Sequence, residues 1–269
     1  MPKLVRLDKY LADNGLAESR TLACEYIKQG RVSVNGSIVT KVASQVALGA
    51  SVKLAKPEKQ WVSRGAFKLL RALDYFKLKV LGLRCIDIGA STGGFTDVLL
   101  SNGAESVCAV DVGYGQLAWK LRNDPRVTVL ERTNARFLTA ESFENKLFDL
   151  LVCDASFISL KLLFAAFEQL VKDKGRLVTL VKPQFEVGRE HIGHGVVTDS
   201  TLHEAVLEDI SDFIEKQTEL KILDMTYSPI KGPEGNIEFL LLLCKKSDLT
   251  VAKEYNISEL VFEAHESTK

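Results

Sequence analysis

The segment Asp87-Ile88-Gly89-Ala90-Ser91-Thr92-Gly93-Gly94-Phe95-Thr96 limits the fold of this chain more than any other. It follows the run Leu83-Arg84-Cys85-Ile86 and leads into an apolar helical stretch, so a strand must turn sharply into a helix. Glycines after a strand let the backbone approach a ligand at the next helix N-terminus. Gly89, Gly93 and Gly94 do not make the Gly-x-Gly-x-x-Gly of a dinucleotide site, and Asp87 suits a cationic methionine group better than a pyrophosphate. Asp111, closing the next apolar run, is placed to accept both ribose hydroxyls of an adenosine. The paired signals point to S-adenosylmethionine rather than NAD.

Strand-like runs alternate with helical stretches from there on: Leu83 to Ile88, Ser106 to Val110, Val127 to Leu130, Leu147 to Cys153, Arg176 to Val181, Lys221 to Thr226 and Ile237 to Leu243. Such alternation predicts an α/β fold, a mostly parallel Rossmann-like sheet with ligands at the carboxyl ends of its strands. Ahead of the sheet, Phe67, Leu70 and Leu73 fall at helical spacing and predict a buried face, with Lys68 as its neighbour. Val152-Cys153-Asp154-Ala155-Ser156-Phe157 and Leu180-Val181-Lys182-Pro183-Gln184-Phe185 close two adjacent strands, so Asp154 and Lys182 emerge side by side at the ligand edge.

The first 55 residues read differently. Leu7, Tyr10 and Leu11 mark a short helix ending near Gly15; Ser19 caps a second, with Ala23, Tyr26 and Ile27 on one face and Gly30 as its stop. Arg31 to Val39 then alternates around Asn35-Gly36, the signature of a type I′ hairpin. Net charge is zero overall, yet residues 1–60 carry ten Lys and Arg against five Asp and Glu, and the remainder 25 against 30. A small basic module beside an acidic body predicts delivery of a polyanion. Pro57 and the charges around it mark a connection over residues 56–62, with the large domain over 63–246 and a tail over 247–269.

Arg6-Leu7-Asp8-Lys9, Ser19-Arg20, Gly30-Arg31-Val32 and Val34-Asn35-Gly36 resemble the RNA-binding domain first named from ribosomal protein S-four. That resemblance implies that Arg6, Lys9, Arg20, Lys28 and Arg31 face RNA phosphates, and Arg64 at the start of the large domain joins them. The large domain resembles the FtsJ-like methyltransferases, and the whole chain the TlyA family of rRNA cytidine 2′-O-methyltransferases, historically labelled haemolysins. The stretches that carry this are Ser63 to Leu69, the glycine turn, Cys153 to Ser159, Val181 to Gly188 and Gly235 to Phe239. The chain departs from the family at Lys59-Gln60-Trp61-Val62, where lysine stands for the usual leading arginine.

The resemblance implies a catalytic Lys-Asp-Lys-Glu tetrad at Lys68, Asp154, Lys182 and Glu238, acting on a ribose 2′-hydroxyl of ribosomal RNA or a ribosomal subunit. Lys182 would orient or deprotonate the hydroxyl, Lys68 steady the ribose or its phosphate, and the two carboxylates hold the lysines in register. S-adenosylmethionine would lie along Gly89, Ala90, Ser91, Gly93, Gly94 and Phe95, with Asp111 on its ribose and Asn134 on its adenine. Phe157 would pack on a ring, although an aromatic at a helix start more commonly enters a core.

Other classes fit less well. Phe185 to Ser200 holds three glycines and reads as a mobile loop; His191 and His194 within it lack the partners of a metal site. The five cysteines include no Cys-x-x-Cys pair, which argues against disulfides and structural zinc. Without a long apolar stretch or a secretion signal, the expectation is a cytoplasmic protein with no stable membrane insertion, and a membrane-active haemolysin is the weaker reading. A catalytically dead RNA-binding protein would be expected to lack part of the tetrad, and all four members are present.

Overall fold

The computed structural model describes residues 4–28, 30–55, 60–188 and 195–267. The chain divides into two compact units, residues 1–60 and 61–269. Residues 56–59 of the expected connection, and His191, Gly193 and His194, lie outside the described residues.

In the first unit β1 (Leu4–Arg6) pairs antiparallel with β4 (Gln45–Ala47), and β2 (Val32–Val34) lies between β3 (Ser37–Ile38) and β5 (Val52–Leu54). Two helices, α1 (Leu7–Asp13) and α2 (Arg20–Lys28), complete a core of Leu7, Leu11, Ala17, Ala23, Ile27, Val32 and Val46. Ser19 Oγ accepts from the Leu22 backbone N–H at 3.2 Å, the cap that the sequence predicts. Asn35 and Gly36 take φ of +51° and +86°, as a type I′ turn requires. The helix, helix, hairpin outline holds; β1, β4 and β5 are additional, because strands of three residues leave no periodic pattern to read.

The second unit is built on a seven-stranded sheet. Its strands are β6 (Arg84–Ile88), β7 (Ser106–Val110), β8 (Val127–Leu130), β9 (Phe148–Cys153), β10 (Val171–Val181), β11 (Leu220–Tyr227) and β12 (Phe239–Lys245). The order across the sheet is β11-β12-β10-β9-β6-β7-β8, parallel except for β12, which runs antiparallel to both neighbours. From β6 the chain builds outward through β7 and β8, then returns to the other side of β6 with β9. A topological switch point therefore opens beyond Ile88 and Cys153, where α/β sheets bind ligands. The antiparallel β12 matters equally, since it brings its amino end to that same edge: Phe239 pairs with Val181, so Glu238 stands beside Lys182.

Each face of the sheet has its own core. Helices α3 (Ala66–Tyr75), α4 (Gly94–Ser101) and α5 (Trp119–Arg122) contribute to one; α6 (Phe164–Leu170), α7 (Ser200–Gln217) and α8 (Ile257–Ser267) contribute to the other. Three expectations change here. Helix α3 buries Ala66, Leu69, Ala72 and Leu73 with Lys68, while Phe67 is 48% exposed, because the paired Lys68 claims the inward position that apolar spacing assigns to Phe67. Trp61 and Val62, assigned by sequence to the connection, pack against the core of the second unit, and the Val62 N–H donates to Asp97. The tail holds α8, whose Val261 and Ala264 are fully buried. His203 of α7 and His265 of α8 join ring nitrogens at 2.9 Å, so the helix is docked by a polar contact as well as by burial.

Candidate functional site

The glycine turn is shaped by steric need. Gly89 has φ +80°, and a Cβ there would meet the Ala155 backbone at 2.9 Å, so the two loops at the switch point touch through bare backbone. Gly93, at φ +98°, starts α4; a Cβ on Gly94 would strike Ser63 Oγ at 2.4 Å. Asp154 N donates to Ile88 O at 3.0 Å, which fixes the Asp154 loop against the turn.

All four members of the expected tetrad converge. Lys68 Nζ lies 2.6 Å from Glu238 Oε2 and 3.1 Å from Asp154 Oδ2; Lys182 Nζ lies 2.7 Å from Asp154 Oδ1. Lys182 also donates to Ser156 Oγ at 2.8 Å and to the Asp154 carbonyl at 3.3 Å. Lys68, Lys182 and Glu238 are buried and Asp154 is half-buried. Burial opposes the Lys68 ammonium, but Asp154 and Glu238 together outweigh it and hold its pKa above the ordinary lysine value. Burial raises the Glu238 pKa against the pull of Lys68 and Lys182. Two cations and two carboxylates form a charge-balanced cluster in which each lysine is steered by Asp154.

Two cavities meet at this cluster. The smaller, about 250 Å³, is lined by Arg64, Lys68, Lys182 and the segment Ile230 to Pro233 among others. The larger, about 490 Å³, is lined by Asp111, Gly113, Gln116, Asn134, Phe157 and Leu163 among others. Gly89, Ser91, Asp154 and Ser156 belong to both walls. Asp111 accepts from Ser91 N at 2.8 Å and Gly113 N at 2.6 Å, and its remaining lone pairs are available to a ligand. Asn134 caps a short 3₁₀ turn by accepting from Arg136 N at 3.0 Å.

Asp87 is not brought to either wall. It is fully buried, accepts from Thr96 N and Oγ1 at 2.9 and 2.7 Å, and so holds the start of α4; burial pushes its pKa up to about 7. The reason is geometric: as the residue before Ile88 it points into the sheet face that α4 covers. Phe95 is 3% exposed and belongs mainly to the core; with Ala90 and Gly94, also expected at the donor, it lines the smaller cavity and not the larger. Phe157 goes the other way, 89% exposed at φ +64°, a backbone state unusual for a bulky side chain, with its ring 5.2 Å from that of Phe185. It stands at the cavity rim, outside the core that helix-start statistics favour.

Sequence reasoning missed several contributors. Ser156 carries the Lys182 contact but follows no spacing rule. Glu186 accepts from Ser159 Oγ at 2.6 Å and from Leu160 N at 2.8 Å, clamping the Asp154 loop to the Lys182 loop on the far side of the two phenylalanines. Burial raises its pKa against those two donors. Ile230 to Pro233 reaches the smaller cavity only because β11 and β12 form the sheet edge. Among the described residues no group of three or more His, Cys, Asp or Glu is arranged to hold a metal, and no helix is long and apolar enough to cross a membrane.

In the first unit, the buried Asp8 accepts from Arg6 Nε at 3.0 Å and Arg20 Nη2 at 2.7 Å. The Arg6 hydrogen bond, with help from Arg20, holds the Asp8 carboxyl well below the usual range. One buried carboxylate thus presents two half-exposed guanidinium groups in fixed orientation. Lys9 and Lys28 are exposed; Arg31 donates to Ala55 O and stacks 4.1 Å above the Tyr26 ring. Arg64, in the second unit, donates to Lys231 O at 3.0 Å on the rim of the smaller cavity.

Comparison with known proteins gives two family matches: FtsJ-like methyltransferase over residues 61–245 and S4 domain over residues 5–52. A Mycobacterium tuberculosis protein named 16S/23S rRNA (cytidine-2′-O)-methyltransferase TlyA is 46% identical over 92% of each chain. Hemolysin A of Brachyspira hyodysenteriae is 41% identical over 88% of this chain and 98% of its own. A solved Streptococcus thermophilus structure is 42% identical, covering 99% of this chain and 97% of that one, with a TM-score of 0.73.

Proposed function

The chain belongs to the TlyA family of FtsJ-like methyltransferases with an S4 domain, and from that premise we propose that it methylates a ribose 2′-hydroxyl of cytidine in ribosomal RNA, with S-adenosylmethionine as donor. One observation carries the reading: the Lys68, Asp154, Lys182 and Glu238 cluster lies where the two cavities meet, with Asp154 on both walls. The larger cavity takes the donor and the smaller the nucleotide. S-adenosylmethionine supplies an electrophilic methyl on a sulfonium.

The residues present fit that donor. Gly89 keeps the floor free of a side chain, Asp111 offers carboxylate oxygens for the ribose, and Asn134 and Leu163 line the end suited to the base. Asp87, away from both walls, anchors the exit of the turn by accepting from Thr96 N and Oγ1. On the acceptor side, a ribose hydroxyl is a poor nucleophile and must lose its proton as the new C–O bond forms. Lys182 meets that hydroxyl, oriented by Asp154 and Ser156; Lys68 offsets the two carboxylates, and Glu238 offsets the two lysines. Arg6 and Arg20 on Asp8, with Lys9, Lys28, Arg31 and Arg64, contact RNA phosphates. A ribosomal RNA substrate supports a cytoplasmic location.

Replacing Asp111 by alanine is expected to weaken S-adenosylmethionine binding by about tenfold or more, since a charge-assisted hydrogen bond contributes roughly 1.5–3 kcal/mol. Calorimetry on both proteins tests it, and tight NAD binding with no heat from the methyl donor would reject the assignment. Glu186→Ala is expected to lower kcat by about 10²-fold by letting the two catalytic loops drift apart, with Glu186→Gln recovering most of it because one acceptor oxygen remains. Wild-type turnover in the alanine variant would show that the clamp is dispensable.

A further inference from the structure

Helix α3 carries the buried Lys68 on one side and an unexplained row on the other. Phe67, Arg71 and Tyr75 recur at i, i+4 and i+8, hence on one outward face, and Arg64 lies one turn before them. Phe67 is 48% and Tyr75 38% exposed. The Arg71 guanidinium lies 4.9 Å above the Tyr75 ring and 5.6 Å from that of Tyr227, at the end of edge strand β11. Among the described residues its one hydrogen bond is long, 3.4 Å to Thr226 Oγ1, so most of its five donors have no partner there. Lys253 Nζ sits 5.6 Å from the Tyr75 ring.

We propose that this outer face of α3, with Tyr227, is a track for the single-stranded RNA flanking the target nucleotide. Three observations select that occupant. The row alternates aromatic rings with an arginine, the pairing that stacks bases and holds phosphates along a single strand. It is continuous with the acceptor cavity, since Arg64 lines that cavity, and from Ala66 to Tyr75 helix α3 rises about 14 Å, room for about two nucleotides. Its free charge is positive: Asp224 is taken by Lys253 at 2.6 Å and Asp74 by Lys77 at 3.2 Å, while Arg71 has no carboxylate partner among the described residues. An aromatic at position 67 facing outward, beside a lysine facing inward, is what such a track needs and what a core-facing helix would reverse.

The inference rests on the proposed RNA-methylating function. Its test uses the full chain with Phe67→Ser, Arg71→Gln and Tyr75→Ser, against three probes: protein-free ribosomal RNA and assembled ribosomal subunits in methyl transfer, and a fluorescein-labelled single-stranded oligocytidylate in anisotropy. Each variant should raise the half-saturating RNA concentration and the oligonucleotide Kd about fivefold to tenfold. Turnover at saturating RNA and S-adenosylmethionine affinity should stay at wild-type values, and Arg71→Gln should make the salt dependence shallower. Arg71 also braces α3 against β11, so Phe67→Ser, which removes only an exposed ring, keeps the test independent of folding. Unchanged half-saturation in all three variants would overturn the track, as would a defect seen on assembled subunits but absent on protein-free RNA, which would mark a protein contact. Failure of the wild type to methylate any ribosomal RNA would reject the function instead, while the oligonucleotide still reads the track.

Discussion

Lys182→Ala is expected to lower methyl transfer by about 10³-fold while leaving S-adenosylmethionine affinity within a few-fold of wild type. The asymmetry follows from placement. Lys182 lines the smaller cavity and is absent from the wall of the larger one. Its contacts run to Asp154 and Ser156, so its removal strips the group proposed to meet the hydroxyl and leaves the Asp111 end intact. Truncation also leaves Asp154 with Lys68 as its remaining ion partner, which keeps the cluster charged but mis-set. Single-turnover transfer to ribosomal RNA and calorimetry with the donor separate the two effects. Near-normal turnover would show that the acceptor hydroxyl lies elsewhere; a parallel collapse of donor affinity would place Lys182 in the donor site.

Deleting residues 1–60 is expected to leave a folded domain that binds the donor normally but whose kcat/KM on ribosomal RNA falls by about 10²-fold or more. Folding should survive because the two units have separate cores: one draws on residues up to Leu54, the others on residues from Trp61 onward. Recruitment should not. The deleted module holds ten basic against five acidic side chains, and the remaining body 25 against 30, so long-range attraction for a polyanion is lost. The loss is also local, since Arg6 and Arg20 are pre-oriented on the buried Asp8 and need no ordering when they meet phosphates. Full-length activity should fall steeply between low and physiological salt, and activity of the truncated protein should respond less. A truncated protein as active as the full chain would show that the catalytic body recruits its own substrate, leaving the α3 face as the principal RNA contact.

Much of the four-residue charged cluster is legible in the sequence. Asp154 and Lys182 end apolar strands, and strand ends are readable because the apolar run stops there. Glu238 and Lys68 came from family motifs, since neither spacing nor periodicity ties them to the other two. Asp87 shows where local reading fails. It sits one residue before the end of β6, where a single step of register decides between burial under α4 and exposure at the cavity, whereas Phe157 does stand on the wall of the larger cavity. Phe67 fails for a related reason: apolar spacing assumes that a helix buries its hydrophobic side, and a lysine paired with the buried Glu238 and the half-buried Asp154 overrides it.

By itself the sequence determined the two-unit organisation, the α/β class, the glycine turn and the ends of the central strands. These are local properties, set by apolar period, by glycine where a side chain would collide, and by charge where a strand leaves the core. Tertiary structure alone decided the rest: that β12 runs antiparallel and delivers Glu238 to Lys68, that Glu186 ties two loops together, and that α8 closes a core rather than trailing as a tail. Each depends on which distant segments become neighbours in the sheet. Strand order is fixed by the packing of whole faces, and no window of adjacent residues encodes it.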